Sequence, residues 1–162
     1  MPRHSELDPL DLEIIRLLQR DGRMAYSAIA EKFRLAEGTV RKRVGRLLAE
    51  GHLRIVGVAT PSKVGMEVVS IIGLNVSRQK MSQARAHLLR LTPVRYVAIT
   101  TGTFDYIIEV ILPSMQDLLH FLLSDLAGVP GLTHTETSLV LEITKQSYDW
   151  LPPAQTLRHK GG

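Results

Sequence analysis

Four basic residues lie within one six-residue stretch of the chain: Arg41, Lys42, Arg43 and Arg46. Guanidinium and ammonium groups bind phosphate oxygens, and both can donate hydrogen bonds to the major-groove edge of guanine. The apolar residues around them recur at helical spacing and would be buried along one side of a helix over about residues 37–50. The basic residues and Thr39 then lie mostly on the other side, which predicts a helix that presents donors to a nucleic acid.

Two short helical segments precede this one. The first opens at Asp8, which can cap free backbone N–H groups, and at Pro9, which suits the first helical position. It ends at Gly22, and a second helix is predicted over about residues 26–33. Three short helices with a basic third member are the parts of a helix-turn-helix. The β-rich residues 52–58 that follow predict the strand of a wing.

This arrangement assigns roles to the basic residues. Thr39, Lys42 and Arg46 would reach base edges or phosphates. Arg41, Arg43 and Arg54 would hold the DNA backbone. The alternative is a charged helix face that is merely solvated. The order of the elements favours DNA, and so does the charge: residues 1–65 hold twelve Lys/Arg against eight Asp/Glu, whereas the remainder holds eight of each.

The remaining residues predict a separate α+β domain. Its elements follow the order βαββαβ of a ferredoxin-like sandwich. They are predicted at 67–77, 80–91, 94–101, 104–112, 114–127 and 132–144. Two helices can cover only one face of such a sheet, yet the predicted strands are apolar on both faces. Because a solvated face should alternate with polar residues, the second face is expected to be covered by another subunit.

Two polar segments of this domain could bind a small molecule. A turn between two strands combines a glycine, hydroxyls, an aromatic ring and an acid: Thr101, Gly102, Thr103, Phe104 and Asp105. The last strand adds Thr137 on one face and Ser138 on the other. Such groups could bind the two charged ends of a free amino acid. The alternative is a plain hairpin turn beside a threonine-rich strand.

Several classes of protein are disfavoured. The chain has no cysteine, which removes disulfides, thiolate metal sites and cysteine nucleophiles. Its six histidines show no metal-ligand spacing, and we find neither a catalytic constellation nor a phosphate-binding glycine loop. We therefore expect no metal and no cofactor. The polar N-terminus has no apolar run, so a cytoplasmic, nucleoid-associated protein is expected.

Five motifs together resemble the Lrp/AsnC, or feast/famine, transcriptional regulators. They are LDPLDLEIIRLLQRDGR, AIAEKF, TVRKRVGRLLAEGHLR, VAITTGTFDYIIEV and TETSLVLEITKQS, in that order along nearly the whole chain. The resemblance implies a winged helix-turn-helix and a C-terminal domain that forms dimers, often octamers, and binds amino acids between dimers. It places the family's recognition-helix cations on Arg41, Lys42, Arg43 and Arg46. It places the ligand-response region on Gly102, Asp105 and residues 137–140.

The chain departs from that family at the start of the recognition helix. Ala36-Glu37 stands where the family usually has Ser-Pro, so a side-chain cap worth about 1 kcal/mol is missing. Gly45 replaces a position that is often basic, and Ala25 stands where a polar cap is usual. These departures leave open a sensor that binds DNA weakly. A third possibility is an enzyme similar to the sirohaem decarboxylases, but the His, Arg and aromatic residues expected for a tetrapyrrole are missing.

The expected domain organisation has four parts. Residues 1–52 form the winged helix-turn-helix, and 53–65 form a linker or wing strand. Residues 66–147 form the oligomerisation and effector-sensing domain, and 148–162 form a flexible tail. The expected function is sequence-specific regulation of transcription in response to an amino acid or a related small molecule, rather than catalysis.

Overall fold

The computed structural model describes residues 7–151 and divides the chain into two compact units. Of the described residues, 7–57 and 145–151 form one unit, and Val58–Thr144 form the other. The helices of the first unit are α1 (Pro9–Arg20), α2 (Tyr26–Phe33) and α3 (Glu37–Ala49). The second unit is built from β1 (Val68–Val76), α4 (Met81–Leu88), β2 (Val94–Ile99), β3 (Tyr106–Leu112), α5 (Met115–His120, continued by a π-helical turn Phe121–Leu126) and β4 (Leu132–Leu139).

Helix α1 begins as its sequence predicts. The Asp8 carboxylate accepts a hydrogen bond from the backbone N–H of Asp11 at 2.8 Å, and the Asp11 carboxylate accepts one from the N–H of Asp8 at 3.2 Å. This reciprocal capping box satisfies two N–H groups at the start of the helix. The apolar face of α1 packs against α2 and α3 around fully buried Ile14, Ile29 and Leu47.

Helices α2 and α3 both lack a side-chain cap, at Ala25 and Ala36 respectively, as the sequence indicates. The turn between them passes through Arg34, which adopts a left-handed conformation with φ 55° and ψ 46°. The N–H of Arg34 donates to the carbonyl of Glu31 at 3.1 Å. A left-handed backbone conformation suits glycine at this position, because a residue with a Cβ atom carries a steric cost there.

The expected wing strand is absent: residues 53–60 form no strand, and a short 3₁₀ turn follows at Pro61–Val64. Leu53 is buried, and its N–H donates to the carbonyl of Leu47. The following Ile55, Val56 and Val58 are exposed. The prediction was wrong because β-forming residues make a strand only where another backbone pairs with them, and no strand of the described residues pairs with this segment.

The second unit has the predicted order βαββαβ. Its antiparallel sheet has the strand order β2-β3-β1-β4, which is the ferredoxin-like arrangement. The helices cover one face, where Ile72 of β1 and Ile108 of β3 are fully buried beside Leu88 and Phe121. The last strand ends at Leu139 rather than at 144. Its partner β1 begins at Val68, which this register places opposite residue 141, so residues 142–144 have no β1 backbone beside them.

The segment after the last strand differs from the expected tail. Residues 145–151 belong to the helical unit, where Leu151 packs against the helical core and Asp149 lies 3.8 Å from Arg20. The remainder of the expected tail, residues 152–162, lies outside the described residues. Within residues 7–151 no helix has both the length and the apolar character needed to cross a bilayer.

Candidate nucleic-acid interface and ligand-binding region

Helix α3 places its two central arginines against α1. One terminal nitrogen of Arg43 donates to the Asp8 carboxylate at 2.6 Å and to the Asp11 carboxylate at 2.8 Å. Arg46 donates to the other oxygen of Asp11. The Asp11 side chain is 1% exposed, while those of Arg43 and Arg46 are 28% and 32% exposed. We call these four residues the α1–α3 clamp.

The clamp keeps the Asp11 carboxylate ionised although it is buried. Burial favours the neutral acid and would raise the pKa of Asp11. The hydrogen bonds from Arg46 and Arg43 stabilise the carboxylate more strongly and hold that pKa below its usual value. The same bonds to Asp8 and Asp11 raise the pKa of Arg43. The clamp is therefore two carboxylates and two guanidinium groups, with no net charge at neutral pH.

The other two cations of α3 are more exposed. Arg41 pairs with Glu37 one turn earlier at 2.6 Å, and its guanidinium lies 5.5 Å from the centre of the Tyr26 ring. Lys42 is exposed and forms no hydrogen bond or ion pair with any residue in the range 7–151. Lys42 is thus the one cation of this cluster, as far as the described residues extend, whose charge no carboxylate offsets.

The predicted DNA-contacting residues mostly meet at one hollow. It has a volume of about 400 Å³ and is lined by Asp8, Asp11, Thr39, Lys42, Arg43 and Arg46. Thr39 and Lys42 are exposed there, whereas the arginines lie on the clamp side. Arg54 is exposed but lies outside this hollow, after the end of α3. Five of the six predicted residues therefore lie on α3, and four of those five line the hollow. Arg41, although on α3, and Arg54 do not line it.

Two features of this region were missed from the sequence. Sequence reasoning gives Asp8 a capping role alone and gives Asp11 none, although an acid at each end of an Asp-x-x-Asp box can also bind cations of a neighbouring helix. Arg34 was not considered, yet it is exposed, precedes α3 and makes no side-chain hydrogen bond or ion pair with the described residues. The sequence signal that could have identified Arg34 is its position, since it is a basic residue in the turn between two predicted helices.

The polar turn of the second unit is held to β1 by its acid. The Asp105 carboxylate accepts a hydrogen bond from the N–H of Val76 at 2.9 Å. The Asp105 N–H donates to the carbonyl of Leu74 at 3.0 Å and to the side-chain oxygen of Asn75 at 3.1 Å. Thr100 donates to the carbonyl of Phe104 at 2.7 Å. One Asp105 oxygen is therefore committed to the fold, which sequence reasoning did not foresee.

The tip of this turn is open. Thr101, Gly102 and Thr103 are exposed, and Gly102 has φ 109°, which only glycine adopts without strain. Beside them the Phe104 ring lies over Gly73 on the sheet face that no helix covers, and it stacks on His134 with centroids 6.3 Å apart. The turn thus combines open hydroxyls with an aromatic wall.

The predicted residues of the last strand do not join this turn. Thr137 pairs with Ile72 and Ser138 with Ile71, whereas the turn contacts β1 at Leu74–Val76. At about 3.3 Å per residue, that offset is roughly 10 Å. Within one chain the structure brings together Phe104, Asp105, Asn75 and His134, and it leaves Thr137 and Ser138 farther along the sheet.

The chain matches known proteins over nearly its full length. Residues 7–48 match the model of the AsnC-type helix-turn-helix domain, and residues 69–150 match that of the Lrp/AsnC ligand binding domain. An uncharacterized HTH-type transcriptional regulator of Pyrococcus abyssi is 37% identical over 147 residues, which is 90% of this chain and 93% of that protein.

Solved structures show the same architecture. Escherichia coli AsnC aligns with a TM-score of 0.80 and 27% identity, covering 88% of this chain and 97% of its own. The regulator NMB0573 from Neisseria meningitidis, solved as a complex with L-Met, aligns with a TM-score of 0.83 and 22% identity over 94% and 99% of the two chains. The latter likeness is one of fold.

A helix-turn-helix joined to a ferredoxin-like ligand-binding domain defines a class of transcriptional regulators that bind DNA with the first unit. Within that class, the chain belongs to the Lrp/AsnC family. The resemblance inferred from the five sequence motifs is confirmed, as is the α+β fold.

Proposed function

We propose that α3 reads DNA through the exposed side of the hollow, where Thr39 and Lys42 contact the DNA directly and Arg43 and Arg46 present donors beside them. Arg41, Arg54 and Arg34 would bind flanking phosphates. The observation that carries this proposal is the exposed Lys42, which no described residue pairs with, next to two oriented guanidinium groups. A cation that no protein carboxylate offsets is available to release counterions from DNA.

The test is fluorescence anisotropy with a duplex from upstream of the protein's own gene. Replacing Lys42 with Ala should weaken binding and lower the slope of log affinity against log salt by about 0.9, the value for one lost phosphate contact. Lys63, an exposed lysine after the helical unit, provides the matched control, and Lys63→Ala should leave the slope unchanged. Equal behaviour of the two variants would reject α3 as the DNA-contacting surface.

We further propose that the ligand of the second unit is an amino acid or a related small molecule, bound at the turn of Thr101, Gly102 and Thr103. The open hydroxyls and backbone N–H groups suit a carboxylate, and the Phe104–His134 stack suits an apolar side chain. The L-Met complex of the similarly folded Neisseria regulator supports this ligand class. Thermal melting with single amino acids is the test, and Thr103→Ala should abolish any ligand-induced rise. A rise that survives in Thr103→Ala would place the ligand elsewhere.

We also propose that the uncovered sheet face pairs two copies of the chain, and that dimers assemble further, up to an octamer. Ile71 is 37% exposed on that face, beside half-buried Val69, Ile107 and Ile111. A second copy would bury this apolar surface and could bring its own Ser138, which pairs with Ile71 and shares its face, toward the turn. Light scattering of Ile71→Asp should show a smaller particle, whereas Leu123→Asp, on the helix side, should not. A dimer that persists in Ile71→Asp would contradict the proposal.

One observation favours a second candidate, a sensor with weak DNA binding. Carboxylates of Asp8 and Asp11 offset the charges of Arg43 and Arg46, and Glu37 offsets that of Arg41, so one of the four expected cations stays uncompensated by the described residues. Weak, nearly salt-independent binding to every duplex would favour that candidate over the regulator. Either protein would act on chromosomal DNA in the cytoplasm, bound to the nucleoid, and neither function requires catalysis.

A further inference from the structure

We propose that Asp8 and Asp11 set the sequence selectivity of DNA binding, because they hold Arg43 and Arg46 as oriented, charge-compensated donors rather than as mobile cations. The proposal rests on α3 being the DNA-contacting helix. It assigns Asp8 as a selectivity-determining positioning residue that itself touches no base.

The hydrogen-bond geometry shows how the acids orient Arg43. Both carboxylates bind the same terminal nitrogen of its guanidinium. The other terminal nitrogen and Nε of Arg43 donate to no residue in the range 7–151. Because a guanidinium is a rigid planar fork, fixing one nitrogen fixes the direction of the remaining donors. A fork that is oriented before binding suits bidentate recognition of a guanine edge.

Charge compensation removes the competing, sequence-independent attraction. A mobile arginine gains affinity for any duplex through phosphate contact, whichever bases are present. Arg43 has two acids within 2.8 Å, so a phosphate must compete with both. A base edge needs only the remaining donors, which the acids leave available. The clamp therefore lowers affinity for random DNA more than affinity for a duplex with the correct base.

Asp8 allows this idea to be tested without loss of the helix. Its side chain is 44% exposed, and it both caps α1 and binds Arg43. Asparagine caps helices as well as aspartate does, so Asp8→Asn keeps the cap and removes the charge. Glu13→Gln is the matched control, because it removes one negative charge from the same helix. Glu13 pairs with Arg16 of α1 and not with α3.

The experiment compares two duplexes by fluorescence anisotropy, one of mixed sequence and one selected from a random pool by the wild-type protein. Asp8→Asn should bind the mixed duplex about three- to tenfold more tightly at 0.1 M salt and steepen its salt slope by about 0.9, the effect of one added phosphate contact. The ratio of selected to mixed affinity should fall by a similar factor. Glu13→Gln should preserve the ratio, and melting curves should show both variants folded.

The outcomes distinguish a failure of this inference from a failure of the proposal that α3 contacts DNA. If Asp8→Asn and Glu13→Gln give the same ratio and slope while Lys42→Ala weakens binding, α3 contacts DNA and the clamp plays no part in selectivity. If Lys42→Ala also has no effect, the DNA-contacting surface itself has been misplaced. Tighter binding of Asp8→Asn to both duplexes by the same factor would likewise overturn the inference, because the ratio would be unchanged.

Discussion

The ring of Phe104 occupies the space that a side chain at Gly73 would need. A Cβ atom at position 73 would lie 2.5 Å from two carbons of that ring, a separation that packed atoms do not adopt. Gly73 lies in the middle of β1, paired with Ile107 on one side and Glu136 on the other. The glycine therefore lets the aromatic side chain of the ligand-region turn rest flat on the open sheet face.

We expect Gly73→Ala to destabilise the second unit by about 1–3 kcal/mol, because the methyl group must displace a packed ring. Phe104→Ala creates the space that the methyl group needs, so Gly73→Ala should cost much less in that background. Urea unfolding of the four proteins in this double-mutant cycle measures the coupling. Additive costs would show that the ring moves aside without loss of packing.

The helical unit should lose stability in acid through Asp11. Its pKa is lower in the folded protein than in the unfolded chain, so the stabilisation is present above the unfolded value of about 4 and is lost as pH falls through the folded value. Asp11→Asn should cost roughly 2–3 kcal/mol at pH 7. The cost is below the about 3–5 kcal/mol of fully buried pairs, since both arginines are partly exposed.

The measurement is the urea midpoint of unfolding, followed by circular dichroism, between pH 7 and pH 3. The wild-type midpoint should fall toward that of Asp11→Asn as the carboxylate is protonated. Glu13→Gln serves again as the control of equal charge. If the urea midpoints of wild type and Asp11→Asn differ by the same amount at pH 3 as at pH 7, the ionised carboxylate is not what stabilises the clamp.

Arg34 should be a strained position that glycine relieves. A left-handed backbone costs an L-residue roughly 1–2 kcal/mol, which is partly offset by the greater freedom that glycine loses on folding. We therefore expect Arg34→Gly to raise the free energy of unfolding by about 0.5–1 kcal/mol, measured by thermal melting. Arg34→Ala removes the same charge without relieving the strain and should give no gain. Equal melting temperatures for Arg34→Gly and Arg34→Ala would show that any change comes from removing the arginine side chain and not from relieving backbone strain.

The sequence predicts those features that depend on neighbours along the chain. The Asp8 cap, the three helices and the order βαββαβ follow from residues a few positions apart. The clamp does not, because Arg43 lies 32 residues from Asp11 and helical spacing alone places it on a solvated face. The expected wing strand at 52–58 did not form for the related reason that strand formation needs a partner backbone, which β propensity does not provide.

Asp105 shows how the structure changes the choice of a test for ligand binding. From the sequence, Asp105→Ala should abolish an effector response and leave basal DNA binding intact. In the structure its carboxylate accepts the N–H of Val76, so truncation leaves that donor unsatisfied beside β1. We expect Asp105→Ala to cost about 1–3 kcal/mol of stability, the penalty for a buried donor that loses its partner.

Asp105→Asn separates the two roles, because its side-chain oxygen can still accept from Val76 while the negative charge is gone. It should melt within about 0.5 kcal/mol of the wild type, the usual effect of a substitution that keeps the local contacts. If the carboxylate also binds the ammonium group of an amino acid, Asp105→Asn should lose the ligand-induced rise in melting temperature despite its intact fold. A stable Asp105→Asn that keeps the full rise would restrict Asp105 to holding the turn against β1.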